Sequence, residues 1–208
     1  MTVRALVSDF GGVLTTPLRA SFRAYEEGTG ITLEQLGIAM ARAAERHGEH
    51  PLFALERGEI SEAEFGRRLA AGLDDGFDLE RLRNLYFERL ERNHEMIAYV
   101  RELRGRGLRT ALLTNNVREW EPLWRAKLPE IDELFEVIVD SAFVGMRKPE
   151  PGIFELTLER LGGLAPAECV LVDDIEPNCE AARELGMRAV RFDTTEQAIA
   201  ELERLLAQ

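Results

Sequence analysis

The chain has 208 residues, 45% of them hydrophobic, with 38 acidic and 26 basic side chains and a net charge of −12. That charge argues against nucleic acid or an anionic membrane surface as the main partner, because both repel an acidic protein. No apolar run reaches the roughly 18 to 20 residues that span a bilayer, no signal-peptide layout is visible, and Cys169 and Cys179 lack metal-ligand spacing, so a cytoplasmic chain with reduced thiols is expected.

The apolar run from Val3 to Val7 stops at Asp9, and Gly11-Gly12 follow. This predicts a buried strand over 4–8 and then a turn where main chain can approach a ligand. Residues 15–92 carry no convincing strand and break into amphipathic helices. Phe22 and Tyr25 mark the first, Thr32-Leu33-Glu34-Gln35 and Ser61-Glu62-Ala63-Glu64 read as capping boxes, and Asp78 caps a helix with Leu82, Leu85, Tyr86 and Leu90 on its apolar side. After this stretch helix and strand alternate. Strands are predicted over 108–113, 136–140, 169–172 and 189–192, with Pro122 restarting a helix, Pro177 opening one, and Thr194-Thr195-Glu196-Gln197 capping the last.

Five short apolar strands separated by helices imply an α/β fold, a doubly wound parallel five-stranded Rossmann-like core. The helical stretch then reads as an inserted all-helical cap over 15–92, with the core made of 1–14 and 93–208. Right-handed crossovers bring all strand C-terminal ends to one edge, which collects Asp9, Thr114, Lys148 and the Asp173-Asp174 pair. Singly, each has an ordinary reading: a turn aspartate, a helix cap, a surface lysine, a helix N-cap. Together they suit a dianionic phosphoryl group. The carboxylates call for a hard divalent cation such as Mg²⁺, with Lys148 as a fixed positive charge. Thr114 and Asn115 offer a hydroxyl and an amide, and Gly11 and Gly12 offer main-chain N–H groups. Asp9 is then the nucleophile that takes the phosphoryl group, and Asn178, four residues after Asp174, is placed to orient that second acid or a metal-bound water.

At these residues the chain resembles the haloacid dehalogenase superfamily. Asp9-Phe10-Gly11-Gly12-Val13-Leu14, Leu112-Leu113-Thr114-Asn115, Arg147-Lys148-Pro149-Glu150 and Val172-Asp173-Asp174-Ile175-Glu176-Pro177-Asn178 are similar to its four motifs. The likeness is greatest to α-glucose-1-phosphate phosphatases and to the phosphatase domain of soluble epoxide hydrolases. The resemblance implies a Mg²⁺-dependent phosphomonoester hydrolase acting on a small phosphorylated metabolite such as a sugar phosphate. It implies Asp9, the Gly11 carbonyl and Asp174 as metal ligands, Thr114 and Asn115 on phosphate, Lys148 on both nucleophile and phosphate, and Asp173 and Asn178 as supports behind them. Monomer and homodimer both stay open.

One position departs from the family pattern. Most phosphatases of the superfamily carry a second aspartate two residues after the nucleophile, as general acid for the leaving group. Gly11 stands there and has no proton to donate. A cap residue, a bound water or the substrate itself is left to serve. Two other readings follow from this: a catalytically weak regulatory or binding protein on the same fold, and a haloacid-type dehalogenase. Trp120 and Trp124 read as helix packing, and His47 and His50 as ordinary helix and loop residues.

Overall fold

The computed structural model describes residues 2–73 and 77–208. Its sheet has five parallel strands in the order β3-β2-β1-β4-β5. They are β1 (Ala5–Ser8), β2 (Arg109–Thr114), β3 (Val137–Asp140), β4 (Cys169–Asp173) and β5 (Arg188–Arg191). All four residues of β1 are buried, because it lies mid-sheet with helices on both faces. That is why its sequence is a continuous apolar run rather than an alternation. Leu6, Leu112 and Val172 pack to one face, and Ala5, Val7, Leu113 and Leu171 to the other. β2 and β4 each run one residue past the predicted ends, so Thr114 and Asp173 are strand residues held by the ladder.

Between β1 and β2 come α1 (Arg19–Thr29), α2 (Leu33–His47), α3 (Pro51–Glu56), α4 (Glu62–Ala70), α5 (Leu79–Arg89) and α6 (His94–Gly105). The first five form the helical unit, with α1 packed on α5 and α2 on α4. The Thr32–Gln35 capping box forms in full. At α4 only half of the expected box forms. The Ser61 hydroxyl accepts the Glu64 N–H at 3.2 Å, but Arg67 and Arg68 take the Glu64 carboxylate. Asp78 caps α5 by accepting the Arg81 N–H at 2.9 Å. The later helices are α7 (Glu121–Lys127), α8 (Ile131–Leu134), α9 (Ser141–Val144), α10 (Pro151–Arg160), α11 (Glu176–Glu184) and α12 (Thr195–Leu206). Pro122 lies in the first turn of α7, where a missing N–H costs nothing, after a short 3₁₀ turn over Arg118–Trp120. No helix among the described residues is long and apolar enough to cross a membrane. Cys169 and Cys179 are buried and unpaired with each other.

The two chain crossings into the helical unit are laced together. Thr15 bridges Arg92, the Thr16 N–H donates to the Glu91 carbonyl at 3.0 Å, and the Asn93 N–H donates to the Leu14 carbonyl at 2.8 Å. A second seam lies at α3. Arg147 from the core pairs with Glu56 at 2.6 Å and stacks over Phe53 at 4.1 Å, while Arg57 pairs with Glu150 at 2.8 Å. At the turn after α3, a Cβ on Gly58 would come within 2.2 Å of the Ala142 carbonyl oxygen. Only glycine lets the helical unit come this close to the core.

Candidate active site

Asp9 directly follows β1. Its N–H still donates to the Val172 carbonyl at 2.9 Å, so the main chain stays tied to β4 as the side chain turns toward the sheet edge. Phe10 anchors the turn by packing on buried Trp124 at 5.4 Å between ring centres. The Asp9 Oδ1 atom accepts the Phe10 N–H at 2.7 Å and lies 2.9 Å from Lys148 Nζ. Lys148 is 1% exposed and also donates to Asp173 Oδ2 at 2.5 Å. The structure thus brings together Asp9, Lys148 and Asp173, which are far apart in sequence. Asp174 joins them: one carboxylate oxygen each from Asp9, Asp173 and Asp174 lie within 4.8 Å of one another.

The surrounding residues differ in three ways from their expected tasks. The Asn115 amide does not stay free for an anion. Its Nδ2 donates to the Lys148 carbonyl at 2.9 Å and its Oδ1 accepts the Lys148 N–H at 2.8 Å, so the side chain clamps the lysine's main chain. The Gly12 N–H is also taken, donating to the Thr15 carbonyl at 2.9 Å, whereas the turn's own bonds leave out the Gly11 N–H. What Gly12 provides is space. It has φ +86°, and a Cβ there would lie 2.4 Å from Asp174 Oδ2. Finally, Asn178 donates to Asp173 Oδ1 at 2.9 Å, not to Asp174. α11 begins only at Glu176, so Asp174 lies off the helix and the four-residue spacing does not put the two on one helical face. With the Ile175 N–H on Oδ1 as well, both Asp173 oxygens are engaged.

The charges are not balanced. Three carboxylates meet one ammonium. Burial pushes the Asp9 carboxyl up to about 7 against the pull of Lys148, and Asp173 and Asp174 push the same way. Burial also raises Asp174, with Asp173 adding to it. Burial works against the Lys148 ammonium, but Asp173 and Asp9 outweigh it and hold the group above its ordinary value. An all-oxygen donor set with excess negative charge, buried at a sheet edge, fits a hard divalent cation. Asp173 already has its oxygens occupied, which leaves Asp9 and Asp174 as the side chains suited to hold such an ion.

Asp9, Lys148 and Asp174 line one end of a cavity of ≈ 850 Å³, which also takes in Thr114 and Asn115. Its other walls come largely from the helical unit and are apolar, with Phe22, Leu36, Phe53, Phe65 and Leu69 among them. Trp120 lines it too, packed against Tyr86 and Phe87 at 6.0 and 5.6 Å between ring centres, while Trp124 lies beneath the site. His47 and His50 are not among the lining residues. Tyr86 of α5 was legible only as an apolar helix position, yet its hydroxyl lies over Gly11. A Cβ built on Gly11 would be 3.9 Å from that oxygen. Burial, and next the charge of Asp9, push the Tyr86 phenol above its ordinary value. Arg147 and Glu56 also line the cavity, at the seam between the two parts.

The chain is 26% identical over 223 residues to bifunctional epoxide hydrolase 2 of Mus musculus, a match that takes in 99% of this chain and 39% of that protein. It is 34% identical over 140 residues to a phosphoserine phosphatase of Thermus thermophilus, covering 66% of this chain and 52% of that one. The chain therefore spans about half or less of these relatives. In structure it is similar to a HAD family enzyme of Bacteroides thetaiotaomicron solved in complex with magnesium and inorganic phosphate. The TM-score is 0.66 at 23% identity, covering 93% of this chain and 96% of that one, a likeness of fold. The family model for haloacid dehalogenase-like hydrolases matches residues 3–186, and the chain belongs to that family.

Proposed function

We propose that the chain is a Mg²⁺-dependent phosphomonoesterase that passes the phosphoryl group through an aspartyl-phosphate on Asp9. The observation that carries this reading is the junction of Asp9, Lys148, Asp173 and Asp174 at the C-terminal end of the central strands, facing a cavity. A dehalogenase nucleophile needs no cation, whereas this surplus of carboxylates favours a site completed by a metal and a phosphate. The names of the phosphatase relative and of the magnesium and phosphate complex point the same way.

In this reading Asp9 attacks phosphorus, and Lys148 offsets the repulsion between an anionic nucleophile and an anionic substrate. Asn115 holds Lys148 through its main chain, and Asp173 with Asn178 aims the ammonium. The Thr114 hydroxyl and the Gly11 N–H hold phosphate oxygens. Asp9, Asp174 and the Gly11 carbonyl would hold Mg²⁺, which when bound supplies Lewis-acid polarisation of the phosphoryl group. Residues 15–92 act as the cap, swinging about the Thr15–Arg92 pairing, over a core of 1–14 and 93–208. A sugar phosphate is the substrate that the family likeness suggests, but the cavity's apolar walls favour an organic group less polar than a sugar.

The test is turnover of p-nitrophenyl phosphate by the purified chain with Mg²⁺, with chelator, and in Asp9→Asn. Activity should appear with Mg²⁺, vanish with chelator, and fall at least about 10³-fold in the variant. Turnover that survives in Asp9→Asn would sink the assignment of the nucleophile.

A further inference from the structure

We propose that Tyr86, carried by the helical unit, is the group that protonates the departing oxygen in place of the missing carboxylic acid. The inference rests on the phosphatase reading above and names the acid which that reading lacks.

A proton donor two residues after the nucleophile would project from Gly11. The structure shows what occupies that direction: within 4 Å of a Cβ built there, and apart from the chain neighbours of Gly11, the Tyr86 hydroxyl is the one atom met among the described residues, at 3.9 Å. Tyr86 is 7% exposed and lines the same cavity as Asp9 and Lys148. Its ring is wedged against Phe87 at 4.9 Å and Trp120 at 6.0 Å between centres, so the hydroxyl is carried on a fixed plane. The Tyr86 hydroxyl has Thr15 as its hydrogen-bond neighbour, and two competing proton donors of the cavity are held in ion pairs. Glu56 pairs with Arg147 at 2.6 Å, and Lys148 is held between Asp9 and Asp173. The phenol O–H is a donor that stays protonated at neutral pH.

Asp9 forms a bond to phosphorus, the ester P–O bond breaks with its electron pair going to the organic oxygen, and that oxygen takes the Tyr86 proton to leave as an alcohol. Water then attacks phosphorus, gives its proton to the Tyr86 phenolate, and releases phosphate and the Asp9 carboxylate. The acid belongs to α5, so it is in place only when the helical unit is docked through its seam with Arg147.

The experiment compares Tyr86→Phe with wild type on n-butyl phosphate and p-nitrophenyl phosphate, reading kcat/KM, which covers the steps up to departure of the alcohol. A butoxide needs the proton and a nitrophenolate does not. Tyr86→Phe should therefore lose about 10²-fold or more on butyl phosphate while staying within about threefold on the nitrophenyl ester. Adding Gly11→Asp to Tyr86→Phe should restore butyl phosphate turnover, since the backbone has room for a Cβ there. An equal loss on both esters, or no loss on butyl phosphate, overturns the role of Tyr86 and leaves the phosphatase reading standing. A wild-type chain inert toward both esters with Mg²⁺ overturns the two together.

Discussion

The two ends of the cavity are built by opposite means. At the sheet edge, charged and polar groups from distant parts of the chain meet at distances of 2.5 to 2.9 Å, each pinned by main chain or by a neighbour. Across the cavity, the helical unit offers apolar walls and the Tyr86 hydroxyl above Gly11. In the proposed reading the sheet edge would hold the phosphoryl group, and the helical side would meet the organic group attached to it. The difference also locates the energetic risk. Buried charges need their partners, whereas an apolar wall tolerates exchange of similar volumes.

Removing the centre of the polar end should have the largest effect on the fold. Lys148→Met leaves Asp9 and Asp173 facing each other without a cation. Chemical denaturation should show about 3 to 5 kcal/mol lost at neutral pH. Added Mg²⁺ should recover part of that loss if the carboxylates bind the ion. A variant as stable as wild type would mean that the lysine is not what compensates these acids.

A buried carboxyl outside the cluster sharpens the same point. Asp140, at the end of β3, accepts the Ala142 N–H at 3.0 Å and caps α9, and burial raises its carboxyl to about 7. In the unfolded chain it returns to the ordinary carboxylate range. Between those two values the folded state binds the extra proton, so this group's contribution falls as pH rises toward 7 and is fully unfavourable above it. Asp140→Asn keeps the cap acceptor and removes the titration. The variant should gain about 1 to 2 kcal/mol over wild type at pH 8 and much less at pH 5, read from denaturation at both values. A pH-independent difference would contradict the raised carboxyl.

The smallest expected effect lies at the seam. Glu56→Gln weakens the contact with Arg147, yet the guanidinium keeps its stacking on Phe53. A loss of about 1 kcal/mol is expected, and on p-nitrophenyl phosphate, whose leaving group needs no proton, KM should move more than kcat because docking of the helical unit, not the phosphoryl end, is disturbed. A drop in kcat alone would place Glu56 in the chemistry instead.

The polar end was largely legible because its residues follow apolar runs whose ends a parallel sheet must gather at one edge. Asp9, Thr114, Lys148 and Asp173-Asp174 could be placed from spacing alone. Their finer tasks could not. Asn115, Gly12 and Asn178 were expected to face an anion or the second acid, but hydrogen bonds to Lys148, Thr15 and Asp173 claim them. Such competition is decided by which acceptor lies nearest after packing. Tyr86 left no chemical trace in the sequence, since a tyrosine on an amphipathic helix is equally a core residue.

The sequence by itself determined the strands, the glycine turn after Asp9 and the run of helices between β1 and β2, because hydrophobic period, capping residues and glycine conformations act over a few residues. Only the tertiary structure decided which carboxylate Lys148 and Asn178 would hold, that the cavity would be apolar, and that a tyrosine 75 positions beyond Gly11 would stand over it. The first depends on how the strand ends and the loop before α10 pack at the sheet edge, and the last two on how the helical unit docks on the sheet. That docking is set by side-chain packing and ion pairs between segments such as Glu56 and Arg147, whose separation no local pattern records.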